Sequence, residues 1–224
     1  MRKQPYYFEI KDLVTQFISA FNEVTINRYN KSRAVVDKIR VKYLYAPKQR
    51  VLNDLINKSQ HITLPAIAVS VTSIEKDEER VFNKILGSYE ANTTSPNQLT
   101  SKHLPAPVPI SIGMNMSIMT KYQTDMDQII SNFIPYTNPY IIISWKVPSA
   151  FVSQVTEIRT EVQWSGSMAL DYPTEVSPDQ SARVTADTTF TIKGWLFPEK
   201  SMDDGQNILY VNTNLTPVTG FEYI

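Results

Sequence analysis

The residues of this chain that could do chemistry are few and scattered. There are two histidines, His61 and His103, and no cysteine. Histidine acts as a metal ligand when further donors recur at a fixed spacing, as in HExxH on one helix face. His61 stands alone at a strand start and His103 alone in a proline-bearing stretch, so both read as structural or exposed. Without cysteine there are no disulfides and no thiolate metal sites, which fits a cytoplasmic setting. Asp125 and Asp127 fall at a helix start, where the helix dipole and capping account for acidic residues. Glu157 and Glu161 are four apart on a strand-like run. They would share a face but lie too far apart to share a proton, and Arg159 between them makes a charge-balanced solvent face. Asp203-Asp204-Gly205 lacks the remaining ligand positions of a calcium loop. Ser165-Gly166-Ser167 has no nucleophile-elbow signature, and no GxGxxG or Walker motif is present. We therefore expect no catalytic residues, no metal and no cofactor. An enzyme whose site assembles only in three dimensions is the remote alternative.

The elements that would position any site are easier to read. Residues 9–22 carry Ile10, Leu13, Val14, Phe17, Ile18 and Phe21 three and four apart, which predicts an amphipathic helix. Residues 35–45 read as one strand, with Val35, Ile39, Val41, Tyr43 and Tyr45 on one face. Pro47 opens a helix with the stripe Val51, Leu52, Leu55 and Ile56. Residues 62–71 are strand-like, with Pro65 placing their start at an edge or bulge. The run 75–80 (Glu-Lys-Asp-Glu-Glu-Arg) reads as a solvated turn or short helix, or alternatively as a segment that binds a basic neighbour.

Residues 87–109 read as a long extended loop, with Pro105, Pro107 and Pro109 favouring an arm over a helix. Residues 108–118 alternate cleanly as a half-buried strand. A helix follows from Tyr122 to a stop at Pro135, with Thr124 as N-cap and Asp127 at the third helical position. Strands are expected at 140–144, 155–164 and 184–197. Trp195 and Phe197 end the polar face of the last one, either as a strand-end cover or as an interface anchor. Ile208, Tyr210 and Val211 suit a short strand added to a neighbour. The order predicts an α+β fold: a mixed or mostly antiparallel sheet with helices packed on one face. We expect one domain over 1–198 and a C-terminal arm over 199–224.

The net charge is zero, yet residues 1–60 carry 12 Lys+Arg against 5 Asp+Glu, and the remainder carries the reverse surplus. That asymmetry is either chance or a pair of opposed surface fields that orders copies or layers. The cations are scattered rather than clustered beside aromatics, which speaks against specific nucleic-acid binding. No apolar signal segment follows the first residues. The longest apolar run, 140–143, is too short to span a bilayer, so no membrane contact is expected.

The segment Met114-Asn115-Met116-Ser117-Ile118-Met119-Thr120-Lys121-Tyr122, continuing through Asp125-Met126-Asp127-Gln128-Ile129-Ile130 to Phe133-Ile134-Pro135-Tyr136, resembles the tail sheath stabiliser and completion proteins, or tail terminators, of contractile-tailed bacteriophages. Arg40-Val41-Lys42-Tyr43-Leu44-Tyr45-Ala46-Pro47-Lys48 and Phe190-Thr191-Ile192-Lys193-Gly194-Trp195-Leu196-Phe197-Pro198 resemble the family's earlier and later strands. The resemblance implies a tail-terminator-like fold and a homo-oligomer, a hexameric ring at the head-proximal end of the tail. The implied partners are the tail sheath protein, the inner-tube terminator or tube end, and the head-neck proteins. DNA passes through the lumen without specific binding. The implied location is the tail neck of the virion, after assembly in the host bacterial cytoplasm. A neck connector or inner-tube terminator ring of the same or a related machine is the alternative. Contacts are expected from the proline stretch and C-terminal arm, with Pro105, Pro107, Trp195, Phe197, Ile208 and Tyr210 as candidate interface residues.

Overall fold

The computed structural model describes residues 6–57, 63–81, 87–95, 98–148, 157–172 and 183–198. The element order is α1 (Glu9–Ala20), β1 (Thr25–Tyr29), β2 (Val35–Arg40), β3 (Lys42–Tyr45), α2 (Lys48–Asn57), β4 (Ala66–Lys76), β5 (Gly87–Ser95), β6 (Gln98–Pro105), β7 (Val108–Thr120), α3 (Gln123–Tyr136), β8 (Ile141–Lys146), β9 (Glu157–Asp171) and β10 (Val184–Leu196). Six strands form one sheet in the order β3-β4-β7-β10-β9-β8. All its pairs are antiparallel except β3 with β4. The fold is α+β with a mixed sheet, as the alternations predicted.

The two longest alternating runs, β7 and β10, pair from Val184↔Thr120 to Leu196↔Val108 and form the centre of the sheet. On one face, Met114, Met116, Ile118, Phe190 and Ile192 are buried beneath α1 and α3. Phe190 is the hub. Its ring lies 5.2 Å from that of Phe17, 5.5 Å from Phe21 and 5.6 Å from Phe133. Burying one such ring contributes about 1.5–3 kcal/mol. The helical stripes are amphipathic because they meet this surface. Two helices cover one face, as expected. The third, α2, departs from that expectation: its Val51 packs with Ala68 and Met119, which alternate with the core residues Ile67 and Ile118 and so face the opposite side.

Several expectations need correction. Residues 35–45 do not form one strand. Val35 and Val36 are exposed, and β2 pairs only with β1, forming a separate hairpin. Val41 is buried between β2 and β3, and β3 joins the main sheet. The expected loop at 87–109 contains an antiparallel hairpin, β5 with β6, running from Gly87↔Pro105 to Ser95↔Gln98. That hairpin belongs to a compact unit distinct from the one formed by residues 1–84 and 107–198. Pro107 lies after β6, and Pro109 is already inside β7. Glu75 and Lys76 end β4 rather than starting a turn.

Thr124 does not cap α3. The N-cap is Tyr122, with extended backbone and no side-chain capping bond, and Thr120 Oγ1 instead donates to the Tyr122 carbonyl at 3.1 Å. Pro135 does not stop the helix but sits in its last turn, where the free carbonyls are met by Thr137: its N–H donates to Phe133 O at 3.2 Å and its Oγ1 to Ile134 O at 2.9 Å. β9 runs on through Ser165-Gly166-Ser167. The pairing with β10 shifts between Thr188 and Phe190, and Gly166 has φ +79°, so the Ser-Gly-Ser run is a β-bulge. The C-terminal arm, 199–224, lies outside the described residues.

Candidate functional site

The face of the sheet opposite the main core carries a row of polar side chains with an ion cluster near each end. At one end the sequence places an acid on a turn directly after β4. Asp77 is only 8% exposed. Its N–H donates to Pro109 O at 3.0 Å, which fastens the turn to β7. Its carboxylate Oδ2 accepts from Arg80 Nε at 2.8 Å, Lys193 Nζ at 3.0 Å and Ser111 Oγ at 3.0 Å. Ser111 and Lys193 are direct partners across β7 and β10, so sheet register converges them on one acid. The Arg80 hydrogen bond, then that from Lys193, holds the Asp77 carboxyl well below the usual carboxylate range against a smaller opposing cost of burial. Arg80 also donates through Nη2 to the carbonyls of Ile110 and Gly194 and lies 5.0 Å from the centre of the Trp195 ring.

Towards the other end, Lys48 at the start of α2 pairs with Asp187 at 2.6 Å. Asp187 also accepts from Ser117, its partner across β7. These bonds, with Val51 on Ala68 and Met119, seat α2 on the sheet. Such an arrangement fixes geometry. Each acid is occupied by a cation and a hydroxyl. Among the described residues, no three of His, Cys, Asp and Glu come together in a group able to hold a metal.

A second polar centre joins the β1–β2 hairpin to α3. Gln128 accepts from the Asn27 N–H at 2.9 Å and donates to the Asn27 carbonyl at 3.0 Å. The side-chain amide thus takes the place of a third strand at that residue. One position along, Arg28 pairs with Asp125 at 2.9 Å and lies 4.7 Å from the centre of the Tyr122 ring. Asp125 is 2% exposed, and its Oδ1 has no hydrogen-bond partner among the described residues. Burial raises its pKa, and the Arg28 charge offsets part of that rise.

The residues singled out from sequence are dispersed. Trp195 is half-buried beside Arg80. Phe197 is 8% exposed, its ring is 5.9 Å from that of Trp145, and its N–H donates to Glu9 Oε1 at 3.3 Å. Within the subunit, Phe197 packs as a cover at the strand end. Pro105 ends β6 and Pro107 is exposed. Ile208 and Tyr210 lie outside the described residues, as do His61 and Asp203-Asp204-Gly205. His103 belongs to β6. Glu157 and Arg159 are exposed on β9, and Glu161 accepts from Gln163 at 2.7 Å. Sequence reasoning missed Asp77, Arg80, Lys193, Arg28 and Gln128. Only the lone basic residue on the polar face of β10 hinted at an acid opposite.

No helix among the described residues is long and apolar enough to cross a membrane. Among solved structures, the fold is similar to the sheath/tube terminator of the extracellular contractile injection system PVC in its extended state, at 8% identity and TM-score 0.46, covering 99% of this chain and 67% of that one. It is also similar to the tube-terminating cap of the anti-feeding prophage, at 9% identity and TM-score 0.38, covering 92% and 60%. A stretch of 103 residues, 46% of the chain, is 26% identical to tail completion protein gp15 of Enterobacteria phage T4, and this match spans only 36% of that protein's length. Residues 5–220 match the family described as the T4-like virus Myoviridae tail sheath stabiliser, and the chain belongs to that family.

Proposed function

We propose that copies of this chain form a hexameric ring at the head-proximal end of a contractile phage tail, where the ring ends tail assembly, holds the sheath extended and offers the surface to which the head attaches. The observation that carries this reading is the family match over residues 5–220. The geometry is in keeping with it. The described ion pairs fasten secondary elements together, as a scaffold requires. A closed ring lets each subunit satisfy a neighbour without leaving a growing edge.

In this reading the partners are the sheath protein, the inner-tube terminator or tube end, and the neck proteins. DNA passes through the lumen unread, and the ring works without enzymatic activity at the tail neck after assembly in the host cytoplasm. Pro105, Pro107, Trp195, Phe197, Ile208 and Tyr210 contribute to contacts. The test is negative-stain microscopy of tails lacking the protein, with and without purified protein added back. The expected result is sheaths that contract or fall away, and stay extended under a head-proximal ring on restoration. Intact extended sheaths in its absence would move the role to head joining or tube termination.

A further inference from the structure

The β1–β2 hairpin leaves one edge open. The edge of β1 is occupied where Gln128 takes both backbone groups of Asn27. The outer edge of β2 has no strand beside it among the described residues, its Lys38 N–H donating only to the neighbouring Asp37 carboxylate at 2.8 Å, and all of β2 except Ile39 is exposed. Val35 is 49% and Val36 68% exposed. An edge strand of this kind is a template for pairing with another chain. The hairpin is also strongly basic. Arg28, Lys31, Arg33, Lys38 and Arg40 face Asp37 alone, and once Arg28 is taken by Asp125 the other four cations make no ion pair among the described residues. Uncovered lysines and arginines keep an edge from pairing indiscriminately, so the strand that fits this one is anionic.

Residues 199–224 have that chemistry. They hold Glu199, Asp203, Asp204 and Glu222 against Lys200 alone, and the run Ile208, Leu209, Tyr210, Val211 has high strand propensity. The spacing matches as well. Antiparallel, with Ile208 opposite Val36, Leu209 falls opposite Val35, Asp204 opposite Arg40 and Val211 opposite Arg33.

We propose that the outer edge of β2 is a docking site for residues 199–224 of a second copy of this chain, seated antiparallel with Ile208 opposite Val36 and Asp204 opposite Arg40. The proposal rests on the reading that copies of this chain associate. It gives that association a direction, because every subunit offers one basic edge and one acidic strand, a heterologous contact of the kind from which rings are built.

The absence of native cysteine makes a clean test. Full-length chains carrying Val36→Cys are mixed with differently tagged full-length chains carrying Ile208→Cys, under mild oxidation. Directly opposed strand residues lie within disulfide reach. The expected result is a mixed disulfide, formed about tenfold more than with Val211→Cys, which is three residues out of register. Arg33→Glu, Lys38→Glu and Arg40→Glu together are expected to lower its yield about tenfold, and raising the salt to about 1 M to lower it likewise. These positions are exposed, and an unchanged circular dichroism spectrum separates lost docking from lost folding. No mixed disulfide, a disulfide only within a chain bearing both cysteines, or indifference to charge reversal would each overturn the proposal. Sedimentation of the unsubstituted protein separates the two levels: rings without the mixed disulfide sink this docking site alone, whereas no self-association at any concentration sinks the ring reading too.

Discussion

Gly194 sits near the end of β10, where a side chain would meet α1. A Cβ built there lies 2.7 Å from Leu13 Cδ1 and 3.5 Å from Ile110 Cγ1. Leu13 is fully buried, so any shift of its methyl must be taken up by its packed neighbours. Gly194→Ala therefore overpacks the contact of α1 with the sheet, which costs about 1–3 kcal/mol. The same change removes the conformational freedom that glycine brings to the unfolded chain, a gain of about 0.5–1 kcal/mol. The clash is the larger of the two, leaving a net loss of about 1 kcal/mol and a fall of about 2–4 °C in melting temperature for a domain of this size. Leu13→Ala alone opens a cavity at the same contact and costs about 3 kcal/mol. In the double variant the new methyl points into that cavity, so the clash disappears. Thermal and urea melts of the four proteins should give a double variant less destabilised than the sum of the singles by about 1 kcal/mol or more. Strict additivity, or Gly194→Ala as stable as the parent, would refute close helix–sheet approach as the reason for glycine here.

The two buried aspartates are expected to respond to pH with opposite signs. Asp77 has a folded-state pKa below its unfolded value, so its charge stabilises the fold above the unfolded pKa, and that contribution is lost as pH falls through the folded one. Asp125 has a raised folded-state pKa, so its charge costs stability at neutral pH, and the cost is relieved as pH falls through that value. In urea titrations from pH 7 to pH 3, the stability of the parent should therefore fall relative to Asp77→Asn and rise relative to Asp125→Asn; slopes of the same sign would contradict the two assignments. Gln128→Ala leaves the Asn27 backbone groups without their partner, and should cost about 2 kcal/mol and speed hydrogen exchange in the β1–β2 hairpin. Unchanged protection there would show the hairpin to be held by other means. Phe197→Ala should cost about 3 kcal/mol because the ring is buried against Trp145. A variant of parental stability that failed to self-associate would instead make Phe197 an interface anchor.

How much was legible in the sequence follows from which interactions are local. Helices α1 and α3 and strands β7 and β10 could be read because each buries one face, and a 3.6-residue or two-residue period records that burial directly. The break at Val41 could not be read from the same pattern. The period continues across residues 35–45, but only the second half finds a neighbour in the main sheet, and the pairing of β3 with β4 is a tertiary fact. Thr124 had the right type for a cap, yet the helix begins one residue before it. The polar clusters were least legible. The run 75–80 looks like solvated charge, and four of its six residues are exposed. Asp77 differs from Glu75, Glu78 and Glu79 only in what the fold brings to it, Ser111 and Lys193, which lie 34 and 116 residues along the chain. Asp125 was assigned to the helix dipole, a local cause, while its partner Arg28 stands 97 residues away. A charge that is satisfied at long range carries no periodicity, so a sequence shows the acid without its purpose. In a protein whose proposed work is to hold other proteins in place, those long-range ion pairs fix the turn after β4 and the start of α2 on the sheet and the β1–β2 hairpin on α3, and a fixed position is what a docking surface requires.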